Sequence, residues 1–173
     1  MFGKFYPTEY LDSAYEVDYE ALYARGVRGL IFDIDNTLVE HGAPATDRAK
    51  GLFLRLHKIG FLACLISNNK EPRVAPFAKA VGADYCICDA HKPSRAGYRR
   101  AMELMGTDAS GTYFIGDQLF TDVYGANRTG IPSILVRPIH PKEEFQIVLK
   151  RRLEKIVLFF YKKKRKRENG RKN

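Results

Sequence analysis

Residues 30–40 read LIFDIDNTLVE, and this stretch decides how the chain folds. The apolar residues 30–32 lead directly into two aspartates, Asp33 and Asp35, and a polar turn follows them. Four more apolar runs, FLACLIS, DYCICD, TYFIGD and SILVRP, alternate with segments whose apolar residues recur at helical spacing. This alternation predicts an α/β protein: a three-layer sandwich in which helices cover both faces of a five-stranded parallel sheet.

Polar side chains follow the predicted strands, where each strand ends. In an open parallel sheet the carboxyl ends of the strands share one edge, and ligands bind there. We therefore expect one site to be formed by Asp33, Asp35, Ser67, Asn68, Lys92, Asp117 and Asp122.

Several carboxylates held close together repel one another unless a cation lies between them. An all-oxygen group of this size suits Mg²⁺, which prefers a few carboxylates, water molecules and a phosphate oxygen. A carboxylate at a strand end can attack a phosphorus atom, and a second one two residues later can protonate the leaving oxygen. Lys92 and the Ser67 hydroxyl add the positive charge and the donor that a phosphate group requires.

The order of these motifs resembles the haloacid-dehalogenase-like (HAD) superfamily. DIDNT resembles its first motif, LISNN its second, HKP its third and GDQLFTD its fourth, and together they span residues 30–122. The resemblance implies a Rossmann-like fold and a phosphatase activity, because the second aspartate of DID is typical of the phosphatases and phosphomutases.

The resemblance also implies a role for each motif residue. Asp33 would be the nucleophile, and Asp35 the general acid and base that also offers its backbone carbonyl to the metal. Asp33 and Asp117 would provide the carboxylate ligands. Asp122 would either bind the metal directly or contact the groups that bind it.

The phosphate of the substrate would be bound by the same set of motifs. Ser67 and the backbone amide of Asn68 would bind the phosphate oxygens, and Lys92 would stabilise the phosphoryl group during transfer.

The spacing of the motifs leaves no room for a cap domain. Only 29 residues separate Thr37 from Ser67 and 24 separate Ser67 from Lys92, enough for a loop, a helix and a strand each time. An open site of this kind suits a phosphate carried on a large molecule. The capless group of the superfamily is subfamily III. The stretch GLIFDIDNTLV after a Tyr-rich lead, together with GDQLFTDVYGANR, is similar to the YqeG-type branch of HAD subfamily IIIA. That branch is related to the mitochondrial phosphatidylglycerophosphatase of fungi, so a lipid-linked phosphate is the leading expectation.

The net charge of +9 is concentrated at one end of the chain. Residues 150–173 carry 12 Lys or Arg against 2 Glu, whereas residues 1–149 are close to neutral. We expect four parts: a lead segment over 1–26 packed on the domain, a catalytic domain over 27–140, an amphipathic helix over 141–161 and a basic, disordered tail over 162–173. An apolar helix face next to basic residues is typical of peripheral contact with an anionic membrane.

Other interpretations of the chain stay open. The basic tail also attracts nucleic acid without sequence preference, so the chain could be a non-catalytic module that binds RNA or ribosomes. A phosphatase of nucleic-acid ends or of small sugar phosphates is the nearest enzymatic alternative. The N-terminus lacks the pattern of a secretory signal, and the three cysteines show no disulfide or zinc spacing. We therefore expect a cytoplasmic protein that can attach peripherally to the inner face of the membrane.

Overall fold

The computed structural model of the chain describes residues 3–140 and 154–163. Within them, six parallel strands form one sheet in the order β1-β6-β5-β2-β3-β4. The strands are β1 Glu9–Leu11, β2 Gly29–Phe32, β3 Leu62–Ile66, β4 Tyr85–Ile87, β5 Thr112–Gly116 and β6 Ser133–Val136.

The expectation of five strands is wrong by one. The five predicted runs are β2 to β6, and the additional strand, β1, comes from the lead segment. It pairs with β6 and becomes the edge strand, with Tyr10 opposite Leu135, and the Thr8 amide donates to the Ser133 carbonyl over 2.8 Å. The N-terminal segment therefore extends the sheet instead of only packing on it.

Helices cover both faces of the sheet, as the sequence predicts. They are α1 Tyr19–Ala24, α2 Asp47–Ile59, α3 Glu71–Val81, α4 Arg95–Met105 and α5 Tyr124–Thr129. One apolar core joins α1, α2 and α3 to the first face, and a second core joins α4 and α5 to the opposite face.

Local capping fixes where the longer helices begin and end. The Thr46 hydroxyl accepts a hydrogen bond from the Ala49 amide at the start of α2, and Gly60 ends that helix with a φ of 111°. These short, sharp connections keep the strand ends close to one another. Between β2 and α4 the chain contains only α2, β3, α3 and β4, so no cap domain is inserted there.

The C-terminal region is described in part. Residues 154–163 are helical, which includes Lys162 and Lys163 of the predicted tail. The remainder of the predicted helix, 141–153, and of the predicted tail, 164–173, lies outside the described residues. In the described parts of the chain, every helix is too short or too polar to cross a bilayer.

Candidate active site

The registers of the central strands bring the predicted motif residues together. Phe32 of β2 lies opposite Ile115 of β5 and Leu65 of β3. Asp33 follows Phe32, and Asp117 and Ser67 come shortly after their own strands end, so these side chains meet at the carboxyl edge of the sheet. All three residues are almost fully buried.

Three carboxylates form the centre of the site. One oxygen from each of Asp33, Asp117 and Asp122 lies within 4.8 Å of the other two. The Lys92 ammonium donates to Asp33 over 2.5 Å and to Asp122 over 2.7 Å. The Thr37 hydroxyl lies 3.4 Å from both Asp33 and Asp117. This threonine of the first motif therefore contacts a carboxylate of the first motif and one of the fourth.

Burial and repulsion determine the electrostatics of the cluster. Burial, opposed by Lys92 and assisted by Asp122, raises the pKa of Asp33 from 3.8 to about 6. Burial and the neighbouring carboxylates of Asp33 and Asp122 hold the pKa of Asp117 well above its usual range. Burial alone would lower the pKa of Lys92, but Asp122 and Asp33 outweigh it, so the pKa is raised and Lys92 stays charged.

A divalent cation fits this arrangement. Three carboxylates and one ammonium leave an excess of negative charge on buried side chains, and raised carboxyl pKa values are the expected result. The donor atoms are all oxygens, which suits a hard cation more than zinc or copper. Asp33, Asp117 and Asp122 are the residues that would hold it.

The carboxylate of Asp35 lies apart from the cluster. It accepts hydrogen bonds from the Gly42 amide at 2.8 Å, from Asn69 Nδ2 at 2.7 Å and from the Arg73 guanidinium at 2.8 Å. Asp35 still lines the same pocket as Asp33. These three donors hold the Asp35 carboxylate apart from the other three carboxylates. Its role as general acid and base, and the predicted metal contact through its backbone carbonyl, stay predictions.

Asn69 and Arg73 are functional candidates that sequence reasoning missed. Asn69 is the last residue of the second motif, LISNN, and Arg73 lies in the first turn of α3, where such residues ordinarily serve as caps or solvated charges. Only the path of the chain between β3 and α3 places both within reach of Asp35.

Ser67 and Asn68, the predicted phosphate ligands, also line the pocket. The Asn68 side chain accepts from the Lys92 amide at 2.6 Å and donates to the Lys92 carbonyl at 3.3 Å. Asn68 thereby fixes the backbone that carries Lys92. Ser67 accepts from the Asn69 amide at 3.1 Å, and its role toward phosphate stays a prediction.

A π-helical turn, Leu119–Val123, positions Asp122. The Gln118 amide donates to the Asp122 carboxylate over 3.0 Å, and the buried Tyr98 hydroxyl lies 3.1 Å from the Asp122 carbonyl. Gly116 allows this carboxylate to lie against β5, because a Cβ there would stand 2.5 Å from Asp122 Oδ2. Tyr98 gave no signal in the sequence, since it has the appearance of a core aromatic in α4.

The cluster lies in an open pocket of about 360 Å³. One wall is apolar and is formed by Leu135, Val136, Pro138 and Leu158. Glu154 and Lys155 of the C-terminal helical residues 154–163 also line the pocket. The C-terminal helix thus contributes to the site, which the sequence did not reveal because this contact is purely tertiary.

A parallel α/β sheet with a buried aspartate cluster at its carboxyl edge defines a HAD-type hydrolase. Residues 90–138 match the family model described as "HAD-hyrolase-like". The chain is 37% identical over 166 residues to "Probable phosphatase YqeG" of Bacillus subtilis, which covers 95% of this chain and 96% of that protein. The chain therefore belongs to the YqeG-like family of HAD-superfamily phosphatases.

More distant similarities extend this assignment. The chain is 30% identical over 154 residues to the Arabidopsis thaliana protein "Phosphatidylglycerophosphate phosphatase 1, chloroplastic/mitochondrial", covering 82% of this chain but 44% of that one. A crystal structure of an uncharacterised protein from Listeria monocytogenes serotype 4b shares the fold, with a TM-score of 0.54 at 16% identity over 69% of this chain and 85% of that one.

Proposed function

We propose that this phosphatase is a Mg²⁺-dependent phosphomonoesterase that acts through an aspartyl-phosphate on a large or lipid-linked substrate, with phosphatidylglycerophosphate as the leading candidate. The observation that carries the proposal is the buried cluster of Asp33, Asp117 and Asp122 with Lys92 at the base of an open pocket. The proposed nucleophile, the positive charge and the metal ligands lie together there.

The first step transfers the phosphoryl group to the protein. A carboxylate oxygen of Asp33 attacks phosphorus, the bond to the leaving oxygen breaks, and Asp35 donates the proton which that oxygen requires. Asn69 and Arg73 orient the Asp35 carboxylate for this role. Lys92, held by Asp33 and Asp122, stabilises negative charge on the phosphoryl oxygens.

The second step returns Asp33 to its starting state. Asp35 now takes a proton from water, the water oxygen attacks phosphorus, and the bond from phosphorus to Asp33 breaks to release inorganic phosphate. A bound Mg²⁺ would neutralise charge on the phosphoryl group in both steps.

The walls of the pocket support a lipid-linked substrate. The apolar wall of Leu135, Val136, Pro138 and Leu158 suits a hydrophobic part of the leaving group. Lys155 provides a cation besides Lys92, which suits a substrate that carries another negative charge in addition to the phosphate that is removed. The distant similarity to plant phosphatidylglycerophosphate phosphatases favours the same class.

Phosphate release tests the proposal. The wild type and Asp33→Asn would be assayed with Mg²⁺ or with EDTA on an aryl phosphate, on phosphatidylglycerophosphate in detergent micelles, on a sugar phosphate and on a 5′-phosphorylated oligonucleotide. We expect Mg²⁺-dependent release that Asp33→Asn abolishes, with the lipid as the preferred substrate.

The substrate panel separates the alternatives. A preference for the sugar phosphate or the oligonucleotide would keep the chemistry and reject the lipid substrate. Full activity of Asp33→Asn would reject the nucleophile, and a folded protein that releases no phosphate from any substrate while it binds RNA would favour the non-catalytic module.

A further inference from the structure

The C-terminal helical residues 154–163 are held firmly against the catalytic side of the molecule. Glu154 accepts a hydrogen bond from the Leu119 amide at 3.1 Å, at the start of the turn that carries Asp122. Val157 is buried in a small apolar cluster with Leu119, and the Tyr161 ring lies 5.5 Å from that of Tyr6. One face of this helix is therefore fixed beside the active-site pocket.

The opposite face of the same helix is apolar and exposed. Ile156, Phe159 and Phe160 have exposed fractions of 52%, 63% and 44%. Their spacing of three and four residues places them on one side of the helix; we call these three residues the outer face. Half of the six large exposed hydrophobic side chains in the described parts of the chain belong to it.

Positive charge lies beside the outer face. Lys155, Lys162 and Lys163 are exposed on the same helix, and the sequence continues with four more basic residues at 164–167. Lys155 lines the pocket and Lys162 Nζ lies 5.5 Å from the centre of the Tyr10 ring, so Lys163 is the cation of this helix that the described contacts leave to the outer face. Cations beside exposed apolar side chains complement an anionic bilayer, where the charges meet lipid headgroups and the apolar groups enter the interface. Nucleic-acid phosphates would be satisfied by the lysines alone and would leave Ile156 without a partner.

We infer that the outer face docks on an anionic bilayer, with the active-site pocket on the other side of the same helix. Glu154, Lys155 and Leu158 line the pocket, while Ile156 and Phe159, on the same two turns, face away from it. Docking of this helix would thus bring the pocket close to the bilayer surface. The inference deepens the proposed function and rests on it, but docking can be measured without any turnover.

Vesicle flotation tests the docking. The probes are vesicles of phosphatidylcholine alone and of phosphatidylcholine mixed with phosphatidylglycerol, with the wild type, the double variant Ile156→Ser/Phe159→Ser and the control Leu54→Ser. Leu54 lies on α2, is 62% exposed and lies outside the outer face, so its substitution removes a matched exposed leucine. All three proteins should hydrolyse a soluble aryl phosphate equally well, which shows that the fold is intact.

We expect the wild type and Leu54→Ser to float with the anionic vesicles and not with the neutral ones. The double variant should bind the anionic vesicles about tenfold more weakly or worse, because two apolar side chains no longer enter the interface. If the double variant fails to fold, Lys163→Gln serves instead. It should weaken binding about fivefold and reduce the sensitivity of binding to salt.

Three results would overturn the inference. The double variant could float as well as the wild type, which would show that vesicle binding does not depend on the outer face. The wild type could bind single-stranded RNA but neither kind of vesicle, or it could sediment as a dimer that the double variant loses. In each case aryl phosphate hydrolysis would continue, so the failure of docking would be distinguished from a failure of the proposed chemistry.

Discussion

Substitution of Asp117 by Asn should stabilise the metal-free protein while it removes activity. Asp117 lies within 4.8 Å of the Asp33 and Asp122 carboxylates, and the two ion pairs of Lys92 are made with those residues and not with Asp117. The amide of Asn has nearly the same shape and no charge. The substitution therefore removes repulsion without breaking an ion pair.

The size of the effect follows from the geometry. Two unit charges 4.8 Å apart, the upper limit of the oxygen separations in the cluster, repel by about 3 kcal/mol at an effective dielectric constant of about 20. The carboxylates of Asp33 and Asp122 also contribute to the raised pKa of Asp117, which is the direction that this repulsion requires. After the hydrogen bonds of the amide readjust, we expect a gain of about 2 kcal/mol in the free energy of unfolding, or about 4 to 8 °C in Tm.

Thermal unfolding in EDTA at pH 7.5 measures this gain, with Glu40→Gln as the control because Glu40 is an exposed carboxylate. Addition of Mg²⁺ should raise the Tm of the wild type more than that of Asp117→Asn, which lacks one ligand. A lower Tm for Asp117→Asn than for the wild type in EDTA would refute the reasoning, since it would mean that repulsion is not the dominant energy in the cluster.

The pH dependence provides an independent check on the same reasoning. Between pH 4 and pH 6 the folded protein binds more protons than the unfolded chain, because the pKa of Asp33 is raised in the folded state. The stability of the wild type in EDTA should therefore fall as the pH rises through this range and stay lower above it. In Asp117→Asn the fall should be smaller, because the pKa of Asp117 is also raised in the folded state and this group no longer titrates.

Two further predictions concern the support of the site. Gly116→Ala should lower the free energy of unfolding by about 1 to 3 kcal/mol, because the added Cβ would stand 2.5 Å from an Asp122 oxygen. The control is Gly51→Ala, in the exposed middle of α2, where no atom lies within 4 Å of the added Cβ. This substitution should raise the free energy of unfolding by about 0.5 to 1 kcal/mol. Urea denaturation compares the two, and equal effects would contradict the close packing at Gly116. Arg73→Met should lower kcat about tenfold or more on an alkyl phosphate and less on a nitrophenyl phosphate. The difference arises because nitrophenolate is a good leaving group and needs little proton donation from Asp35. Equal losses of kcat on both substrates would contradict a role of Arg73 in orienting Asp35.

The fold was largely predictable because each strong signal was local. Buried runs such as residues 30–32 and the caps at Thr46 and Gly60 are specified by neighbouring residues. The short strand β1 was missed because three residues, EYL, have no periodicity of their own. Its existence depends on the free edge of β6, more than 120 residues further along the chain.

In the candidate site, too, some residues could be predicted from local sequence and others are brought together only by tertiary contacts. Asp33, Asp117 and Lys92 could be placed together because each follows the carboxyl end of a strand or leads away from it, and the strand order of a parallel sheet then brings them to one edge. The groups that hold Asp35, and the pocket wall formed by Glu154 and Lys155, could not be predicted. Their contacts arise from the paths of loops and from the docking of a helix, which no local pattern encodes.

The pairing of β1 with β6 also has a consequence for the order in which the molecule assembles. The first strand to leave the ribosome is among the last to find its neighbour, since β6 must be synthesised before residues 9–11 have a partner. The central strands β2 and β3 are both synthesised much earlier and can pair before β6 exists. The repelling carboxylates come together only when the fourth motif arrives, and by then much of the apolar core that contains them can already be in place.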